Sequence, residues 1–246
     1  MSDDDILQVE ELGAIRRVTL NRPKRLNAIN QPMADALLAW FEARRRDFDA
    51  RVIIIRGAGR GFCAGADLKA GGTPEALQDG PKGDWVLRDA MKAMRACPQP
   101  IISLVRGPAA GGGLAIALAS DIIVASESAI FYTAFIKVGL NGSELGAGWR
   151  LQRTMGVSRA REALYANRPI AAEEAHRCGL VSAVTLDSEL ENYGTTLANE
   201  MLDCQPDALR LTKRTLDHDL ECPSVDLAME NEERAQMLMI HRRARA

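Results

Sequence analysis

The 246-residue chain has few of the side chains that build disulfide scaffolds, metal centres or histidine-based catalytic sites. Its three histidines all lie in the second half of the sequence, and none accompanies a serine or cysteine in a nucleophile turn. The cysteine count is odd, and no two cysteines have metal-site spacing: Cys63, Cys97, Cys178, Cys204 and Cys222. These shortages argue against a disulfide-stabilised secreted domain, and they predict a reducing, cytoplasmic setting and no bound metal.

Long hydrophobic runs and a strong charge excess are also missing. No apolar stretch approaches the length of a membrane span, and the acidic start at residues 1–5 is unlike a secretory signal. The net charge is −2 and the sequence pI is about 6.0, which argues against a large electrostatic nucleic-acid surface. We therefore expect neither a membrane nor a nucleic-acid partner.

The chain does contain strand signals that alternate with helix signals and are followed by a run of helices. Hydrophobic residues make up 47% of the sequence, which is enough for a sizeable core. β-branched runs predict strands over residues 14–20, 51–56, 101–105 and 121–125. A small-residue helix is predicted to follow the glycines at residues 111–113 and to run through Ala119. Further helices are predicted over residues 84–96, 145–154, 158–166, 171–178, 188–204, 207–220 and 225–242. This order predicts an α/β core with a helical C-terminal part.

A further helix is predicted between the first two strands. Asn30 is a suitable N-cap, and Pro32 suits a first helical turn. Apolar side chains then recur at helical spacing: Met33, Leu37, Trp40, Phe41 and Phe48.

Two glycine-rich stretches, Gly59–Leu68 and Gly107–Leu114, each follow a β-branched strand. Small residues after a strand let backbone N–H groups approach a ligand closely. Two such loops can direct donors at one oxygen, which is the arrangement that an acyl thioester needs when it reacts through an enolate. The alternative is that both stretches are only tight turns.

Other chemistry at these loops matches the sequence poorly. Gly57, Gly59 and Gly61 lack the spacing of a dinucleotide-binding fingerprint, and no helix clearly starts there. No Gly-Lys-Ser/Thr follows, which excludes a P-loop. Cys63 lies within the first loop, where the role of a buried small hydrophobic residue is favoured over that of a nucleophile.

Five motifs occur in a recognisable order, at residues 21–28, 62–68, 107–114, 119–122 and 179–181. With them the chain resembles the crotonase (enoyl-CoA hydratase/isomerase) superfamily, from about Ile15 to Met239. The resemblance implies an α/β fold with a crotonase-like ββα spiral core, residues 1–190, and a C-terminal helical trimerisation region, residues 191–246. It also implies an acyl-CoA thioester substrate and a homotrimer or a dimer of trimers. The C-terminal region is shortened relative to the family pattern.

The resemblance also implies roles for individual residues. The backbone N–H groups of Ala66 and Gly112 would form an oxyanion hole, and Gly112 would lie near a helix N-terminus that favours an anion. Coenzyme A, as part of the substrate and not as a separate cofactor, would contact a further set: Lys24, Arg25, Ala28, Ala64, Asp67, Leu68 and Lys69. The alternative for the lysines and the arginine is that each is a solvated surface side chain.

The acid–base residue departs from the family pattern. A typical hydratase of the family activates water with two glutamates, whereas the matching positions here are Ala115 and Phe135. Glu144 lies in the segment where other branches carry a single Asp or Glu, so it is predicted to be the catalytic acid–base residue. The alternative is a glutamate that the dipole favours at a helix start, with Ser143 or Asn141 as the cap.

The predicted function is that of an enoyl-CoA hydratase, because chains with this Gly-x-x-Gly-x-acid pattern are usually classed with that group of the family. A 3-enoyl-CoA/2-enoyl-CoA isomerase is the alternative, since one base is enough to move a double bond. A non-catalytic CoA-thioester-binding protein and other enolate chemistry, such as carbon–carbon cleavage or thioester hydrolysis, also remain open. Several apolar residues are candidates for either the pocket wall or the core: Trp85, Leu87, Phe131, Phe135 and Trp149.

Overall fold

A computed structural model describes residues 5–68 and 83–243, which form two sheets surrounded by helices. The strands in this part of the chain are β1 Leu7–Leu12, β2 Ile15–Leu20, β3 Val52–Gly57, β4 Ile101–Val105, β5 Pro108–Ala110, β6 Ile122–Ser126, β7 Ile130–Tyr132, β8 Ile170–Ala171 and β9 Ala183–Thr185. The helices are α1 Gln31–Arg44, α2 Gly83–Ala96, α3 Gly112–Ala119, α4 Ala147–Met155, α5 Val157–Ala166, α6 Ala172–Arg177, α7 Leu190–Leu202, α8 Pro206–Asp219 and α9 Val225–Arg243. Two short 3₁₀ helices cover Pro23–Arg25 and Phe135–Val138.

The larger sheet has six strands in the order β1-β2-β3-β4-β6-β9, and the smaller has three in the order β5-β7-β8. In the larger sheet β1 pairs antiparallel with β2, and all the other neighbours are parallel. The continuous apolar run of β3 is fully buried from Val52 to Ile55. Such a run is expected of a central parallel strand that is covered on both faces.

The two faces of the larger sheet carry separate cores. Ile53 and Ile55 belong to the larger apolar cluster, which also includes residues of α1, α2 and α3. Val52 and Ile54 point the other way, into a smaller cluster that includes Leu190 of α7. The sheet is therefore a middle layer, with α7 on one face and the other helices that contribute to the core on the opposite face.

Helix α8 is attached to the core by polar groups. Lys213 forms an ion pair with Asp121, and Arg95 of α2 forms one with Asp217 of α8. The following helix, α9, exposes apolar side chains: Leu227, Met229, Met237, Leu238 and Ile240. In the described part of the chain, no helix combines the length and apolarity that crossing a membrane requires.

The α/β architecture and the predicted strands and helices are confirmed, with small differences at their ends. The placement of Phe48 on a helix was wrong, because α1 ends at Arg44 and Phe48 is 74% exposed. Five strands were not predicted, of which β5, β7, β8 and β9 have only two or three residues. Segments this short carry no readable period and form where tertiary packing supplies a partner strand. The division of the chain at residue 190 stays a prediction.

Candidate active site

The two glycine-rich loops are joined by backbone hydrogen bonds. The Cys63 N–H donates to the Pro108 carbonyl at 3.0 Å, and the Ala110 N–H donates to the Cys63 carbonyl at 2.9 Å. A Cβ atom at Gly113 would overlap the Cys63 carbonyl group and lie 2.7 Å from Cys63 Cβ. Only glycine therefore lets the second loop lie this close to the first.

The first loop is also paired with the segment that leads into α1. The Ile29 N–H donates to the Gly65 carbonyl at 2.7 Å, and the Asp67 N–H donates to the Ile29 carbonyl at 2.9 Å. Gly65 has a φ of +88°, which L-residues rarely adopt. These contacts fix the residues on both sides of Ala66. Within the described residues, the Ala66 N–H itself donates no backbone hydrogen bond.

Gly112 is the first residue of α3, and it is buried. The first N–H groups of a helix have no intrahelical acceptor and lie at the positive end of its dipole. A Cβ at Gly65 would lie 3.6 Å from the Gly112 nitrogen, so the two loops are adjacent here. Ile29 and Leu87 cover Gly112 closely, since a Cβ on this glycine would lie 2.9 Å and 3.1 Å from their side chains.

Ala66, Gly112 and Glu144 line the same cavity, which has a volume of about 150 Å³. The other lining residues are mostly small or apolar: Ile29, Asn30, Gln31, Ala34, Ala64, Gly65, Leu68, Leu87, Gly111, Ala134, Phe135, Val138, Leu140 and Leu145. Among these described residues Glu144 is the one with an ionisable side chain. The cavity, which we call the catalytic cavity, therefore brings Ala66 and Gly112 together with one carboxylate in mostly small and apolar surroundings.

Glu144 is half-buried and precedes α4, whose first residue is Ala147. The Glu144 carbonyl accepts a hydrogen bond from the Ala147 N–H at 2.8 Å, and the next residue, Leu145, has a φ of +51°. The helix has Gly146 at its N-cap and no side-chain cap. Glu144 thus lies outside the first turn of α4, and neither Ser143 nor Asn141 acts as the cap that the alternative reading required.

Phe135 and Ala115, which match the two glutamates expected from the resemblance, differ in whether they line the catalytic cavity. Phe135 is buried and lines the catalytic cavity, whereas Ala115, 1% exposed, does not. The turn before Phe135 is fixed by Asn167, whose side-chain oxygen accepts from the Ala134 N–H at 2.6 Å. Neither Phe135 nor Ala115 can transfer a proton, so among the described lining residues Glu144 is the group that can do so.

The residues predicted to contact coenzyme A do not all reach the catalytic cavity. Ala64 and Leu68 line it. Asp67 is buried, and its carboxylate pairs with Arg22 at 2.7 Å, so it supports the loop. Lys24 and Arg25 are exposed on a 3₁₀ helix, and Ala28 is buried; all three lie outside the lining. Lys69 lies outside the described residues.

The sequence analysis missed the role of Asn27, which is fully buried beneath the first loop. Its side-chain N–H₂ donates to the carbonyls of Ala58, Gly61 and Phe62 at 2.9, 2.8 and 3.1 Å. Its side-chain oxygen accepts from the Arg22 N–H at 2.8 Å. One amide therefore shapes the turn that presents Ala66. The sequence signal was a polar residue between apolar neighbours in the motif at residues 21–28.

The wall of the catalytic cavity was predicted in part. Leu87 and Phe135 line it, whereas Phe131 is fully buried in the core and Trp149 lines a different cavity. The side chain of Trp85 lies outside the described part of the structure. Ile29, Leu140 and Leu145 were not singled out, because single apolar residues in loops carry no periodic signal.

Comparison with known proteins relates the whole chain to one family. The family model described as enoyl-CoA hydratase/isomerase matches residues 10–245. A Mycobacterium bovis protein named probable enoyl-CoA hydratase echA12 is 38% identical over 92% of this chain and 81% of its own length. An Escherichia coli 1,2-epoxyphenylacetyl-CoA isomerase is 34% identical over 95% of this chain and 89% of its own. The crystal structure of a monofunctional enoyl-CoA isomerase from M. smegmatis has a TM-score of 0.79 at 35% identity, covering 91% of this chain and 98% of that one.

Proposed function

The chain belongs to the enoyl-CoA hydratase/isomerase family, and we propose that it is an enoyl-CoA hydratase that adds water to a 2-enoyl-CoA thioester. The observation that carries this proposal is the shared cavity of Ala66, Gly112 and Glu144. Two backbone donors and one carboxylate are the groups that a thioester enolate requires. The names of several relatives, which are hydratases, support the same reaction.

In the proposed mechanism the N–H groups of Ala66 and Gly112 donate to the thioester carbonyl oxygen. This oxygen becomes negative as the enolate forms, so both hydrogen bonds strengthen in the transition state. Loss of one such donor typically lowers kcat by about 10²–10³-fold. The position of Gly112 at the start of α3 adds the positive end of the helix dipole.

Glu144 is the proposed proton-transfer group. Its carboxylate takes a proton from water while the water oxygen bonds to C3 and the π electrons move onto the thioester oxygen. The enolate then re-forms the carbonyl, and C2 takes the proton back from Glu144. The balance is one water added across C2 and C3, with the enzyme unchanged. No separate metal or redox cofactor takes part in this scheme, and coenzyme A enters as part of the substrate.

A second candidate is an isomerase that moves the double bond between C3 and C2. The observation in its favour is that Glu144 is the one ionisable side chain among the described lining residues. One carboxylate can remove a proton from C2 and return it at C4 without a bound water. The name of the enoyl-CoA isomerase among the solved structures agrees with this alternative.

Coenzyme A recognition and assembly complete the proposal. Lys24 and Arg25, exposed on the loop that leads to the wall residue Ile29, would meet the coenzyme A phosphates. The exposed apolar side chains of α9 support assembly into a homotrimer or a dimer of trimers. The five cysteines are unpaired, in keeping with a cytoplasmic setting.

The test is incubation of the enzyme with crotonyl-CoA, following the absorbance of the conjugated thioester and the product mass. The hydratase proposal expects loss of absorbance and gain of one water. Glu144→Gln should lower turnover by about 10²–10⁴-fold, while the exposed control Glu173→Gln keeps it. Turnover of 3-enoyl-CoA but not of crotonyl-CoA would favour the isomerase. Binding of both thioesters without turnover would contradict an enzymatic role.

A further inference from the structure

Three of the described residues that line the catalytic cavity have polar side chains: Asn30, Gln31 and Glu144. Glu144 supplies the carboxylate, whereas Asn30 is the N-cap of α1 and Gln31 is its first residue. A hydratase has to hold a water molecule beside C3 as well as deprotonate it, because the reacting atoms must be in place before the bond forms. The two amides are therefore the remaining side chains that could hold this water.

One carboxylate leaves the reacting water with an unused hydrogen-bonding position. A buried water typically makes about three hydrogen bonds. When one of its protons faces Glu144 and one lone pair faces C3, the second lone pair is left to accept a hydrogen bond. Phe135, at the position of a second glutamate in the family pattern, lines the cavity but has no hydrogen-bonding side chain. A donor from another part of the lining would complete the contacts of the water.

The half-buried Asn30 side chain is fixed at one end and available at the other. Its oxygen accepts from the Met33 N–H at 3.1 Å, and this capping bond identifies which end of the amide is the oxygen. The nitrogen and oxygen of an amide lie on opposite sides of its carbon, so the N–H₂ is directed away from the Met33 N–H. Within residues 5–68 and 83–243, this N–H₂ donates no hydrogen bond. It is therefore free to donate to a molecule in the cavity.

The backbone next to Asn30 is paired with the strand-like segment that carries a proposed oxyanion donor. Ile29, the preceding residue, forms an isolated parallel bridge with Ala66. The Asn30 carbonyl accepts from the Ala34 N–H at 3.0 Å, in the first turn of α1. The amide is thus held near the proposed site of the thioester carbonyl, and C3 is only two bonds from that carbonyl carbon. A donor fixed in this way needs little reorganisation when the water reacts.

Gln31 is less suited to this role than Asn30. It is exposed, and its N–H₂ donates to Asp35 at 2.9 Å, one turn further along α1. Its donor is therefore already engaged on the helix surface. Its side chain is also longer than that of asparagine, so ordering it beside the water would cost more conformational entropy.

We propose that the Asn30 side-chain amide holds the water that Glu144 deprotonates, by donating an N–H to the water oxygen. One water proton moves to Glu144, the water oxygen bonds to C3, and the π electrons move onto the thioester oxygen. The Asn30 proton stays on its nitrogen throughout. This inference rests on the proposed function, because a hydratase needs this water and an isomerase does not.

The test compares water addition with a reaction of the same site that adds no water. Hydration of crotonyl-CoA is followed by absorbance, and exchange of the C2 protons of butyryl-CoA is followed in D₂O by mass. Exchange needs the oxyanion donors and Glu144 to form the enolate, but it brings no oxygen to C3. Asn30→Ser should lower kcat for hydration on the order of 10–100-fold, while KM and the exchange rate stay close to wild type.

Two substitutions at Asn30 separate the water contact from the helix cap. Serine caps a helix about as well as asparagine but has no N–H₂, whereas alanine does neither. Asn30→Ser should therefore keep the midpoint of thermal unfolding, and Asn30→Ala should lower it, but both should lose hydration. The matched control is Asn199→Ser, at an exposed position of α7, which should keep hydration and exchange. Hydration lost only in Asn30→Ala would show that Asn30 acts as a cap alone.

The remaining outcomes distinguish this inference from the proposed function. If the wild type hydrates crotonyl-CoA and Asn30→Ser does so equally well, only the inference is wrong. Loss of hydration in Gln31→Ala but not in Asn30→Ser would give the water to Gln31 and overturn the assignment. Equal losses of hydration and C2 exchange in Asn30→Ser would show a distorted site and contradict a water contact. If the wild type isomerises 3-enoyl-CoA without hydrating crotonyl-CoA, the proposed function fails and the inference fails with it.

Discussion

Lys213 Nζ lies 2.8 Å from Asp121 Oδ2, at a site where the Lys213 side chain is only 5% exposed. The same ammonium donates to the Gln99 carbonyl at 2.9 Å, and Asp121 Oδ2 accepts from the Ile101 N–H at 2.7 Å. Burial lowers the pKa of Lys213, and the charge of Asp121 opposes that shift. This pair connects α8 to the start of β4 and is one of the polar contacts that attach α8 to the core.

Replacing Lys213 by methionine should loosen this attachment. The change leaves Asp121 paired with Arg95, and Arg95 paired with Asp217 of α8, but it removes the buried ion pair. We expect a loss of about 3 kcal/mol in the free energy of unfolding. Denaturant unfolding measures the loss. The control Lys92→Met removes an exposed pair and should change stability little. Equal effects of the two substitutions would contradict the role assigned to Lys213.

Gly113→Ala should disturb the contact between the two glycine-rich loops. The added methyl would overlap the Cys63 carbonyl, so one loop must move, at a cost of about 1–3 kcal/mol. We expect a lower midpoint in thermal unfolding and a reduced kcat, because the proposed oxyanion donors would be displaced. Gly142→Ala is the control, since its nearest neighbour would be 3.6 Å away. Normal turnover in Gly113→Ala would show that donor placement tolerates the shift.

Asn27→Ala should destabilise the protein, because the first glycine-rich loop is held by this one buried amide. The substitution leaves the carbonyls of Ala58, Gly61 and Phe62 without this donor. Each carbonyl that stays buried without a partner lowers the free energy of unfolding, because its desolvation is no longer compensated. A destabilisation of roughly 2–3 kcal/mol is expected in denaturant unfolding. The control is Asn21→Ala, whose side chain makes one exposed hydrogen bond, to the Asp5 carbonyl. A smaller effect at position 27 than at position 21 would rule out this role.

Cys63 should be unreactive in the folded protein. Burial raises the pKa of its thiol from 9.0 to about 12, and the side chain donates to the Asn27 carbonyl at 3.1 Å. Iodoacetamide at pH 8 should therefore label the exposed Cys204 and leave Cys63 unmodified until the protein unfolds. Peptide mass mapping reads both sites, and equal labelling in the native state would contradict the burial of Cys63.

The same shift has a consequence for stability at high pH. Because the folded pKa of Cys63 lies above the unfolded value, its thiol stabilises the fold fully below about pH 9. That contribution is lost as the pH rises from about 9 to about 12, since the unfolded state then releases the proton first. Cys63→Ala should flatten the fall in unfolding free energy over this window, as measured by denaturant titrations at fixed pH.

The sequence was sufficient for the features that depend on local patterns. The β-branched run Val52–Ile55 of β3 predicted a buried strand, because all four of these side chains are apolar. The Asn30 cap was predicted from residue type, and its side chain does accept from the Met33 N–H at 3.1 Å. Positive φ values at Gly59, Gly65, Gly107 and Gly111 agree with the turns expected of the glycine-rich loops.

The tertiary structure decided which of the motif residues share a space. Ala66, Gly112 and Glu144 come from three separate segments of the chain, and the packing of the larger sheet against α1, α2 and α3 brings them to one cavity. Asp67, in the same motif as Ala66, turns away to pair with Arg22. Adjacent residues of an extended segment point to opposite sides, so sequence position by itself could not separate these two roles.

By itself, the sequence determined the fold class, the family and the order of the glycine-rich loops, because strand periodicity, glycine turns and caps are set by neighbours along the chain. The tertiary structure alone decided that Phe135 lines the catalytic cavity, that Asn27 supports the first loop and that Lys213 joins α8 to Asp121. Each of these depends on contacts between residues distant in sequence, and such contacts are chosen by the burial of side chains in the assembled core.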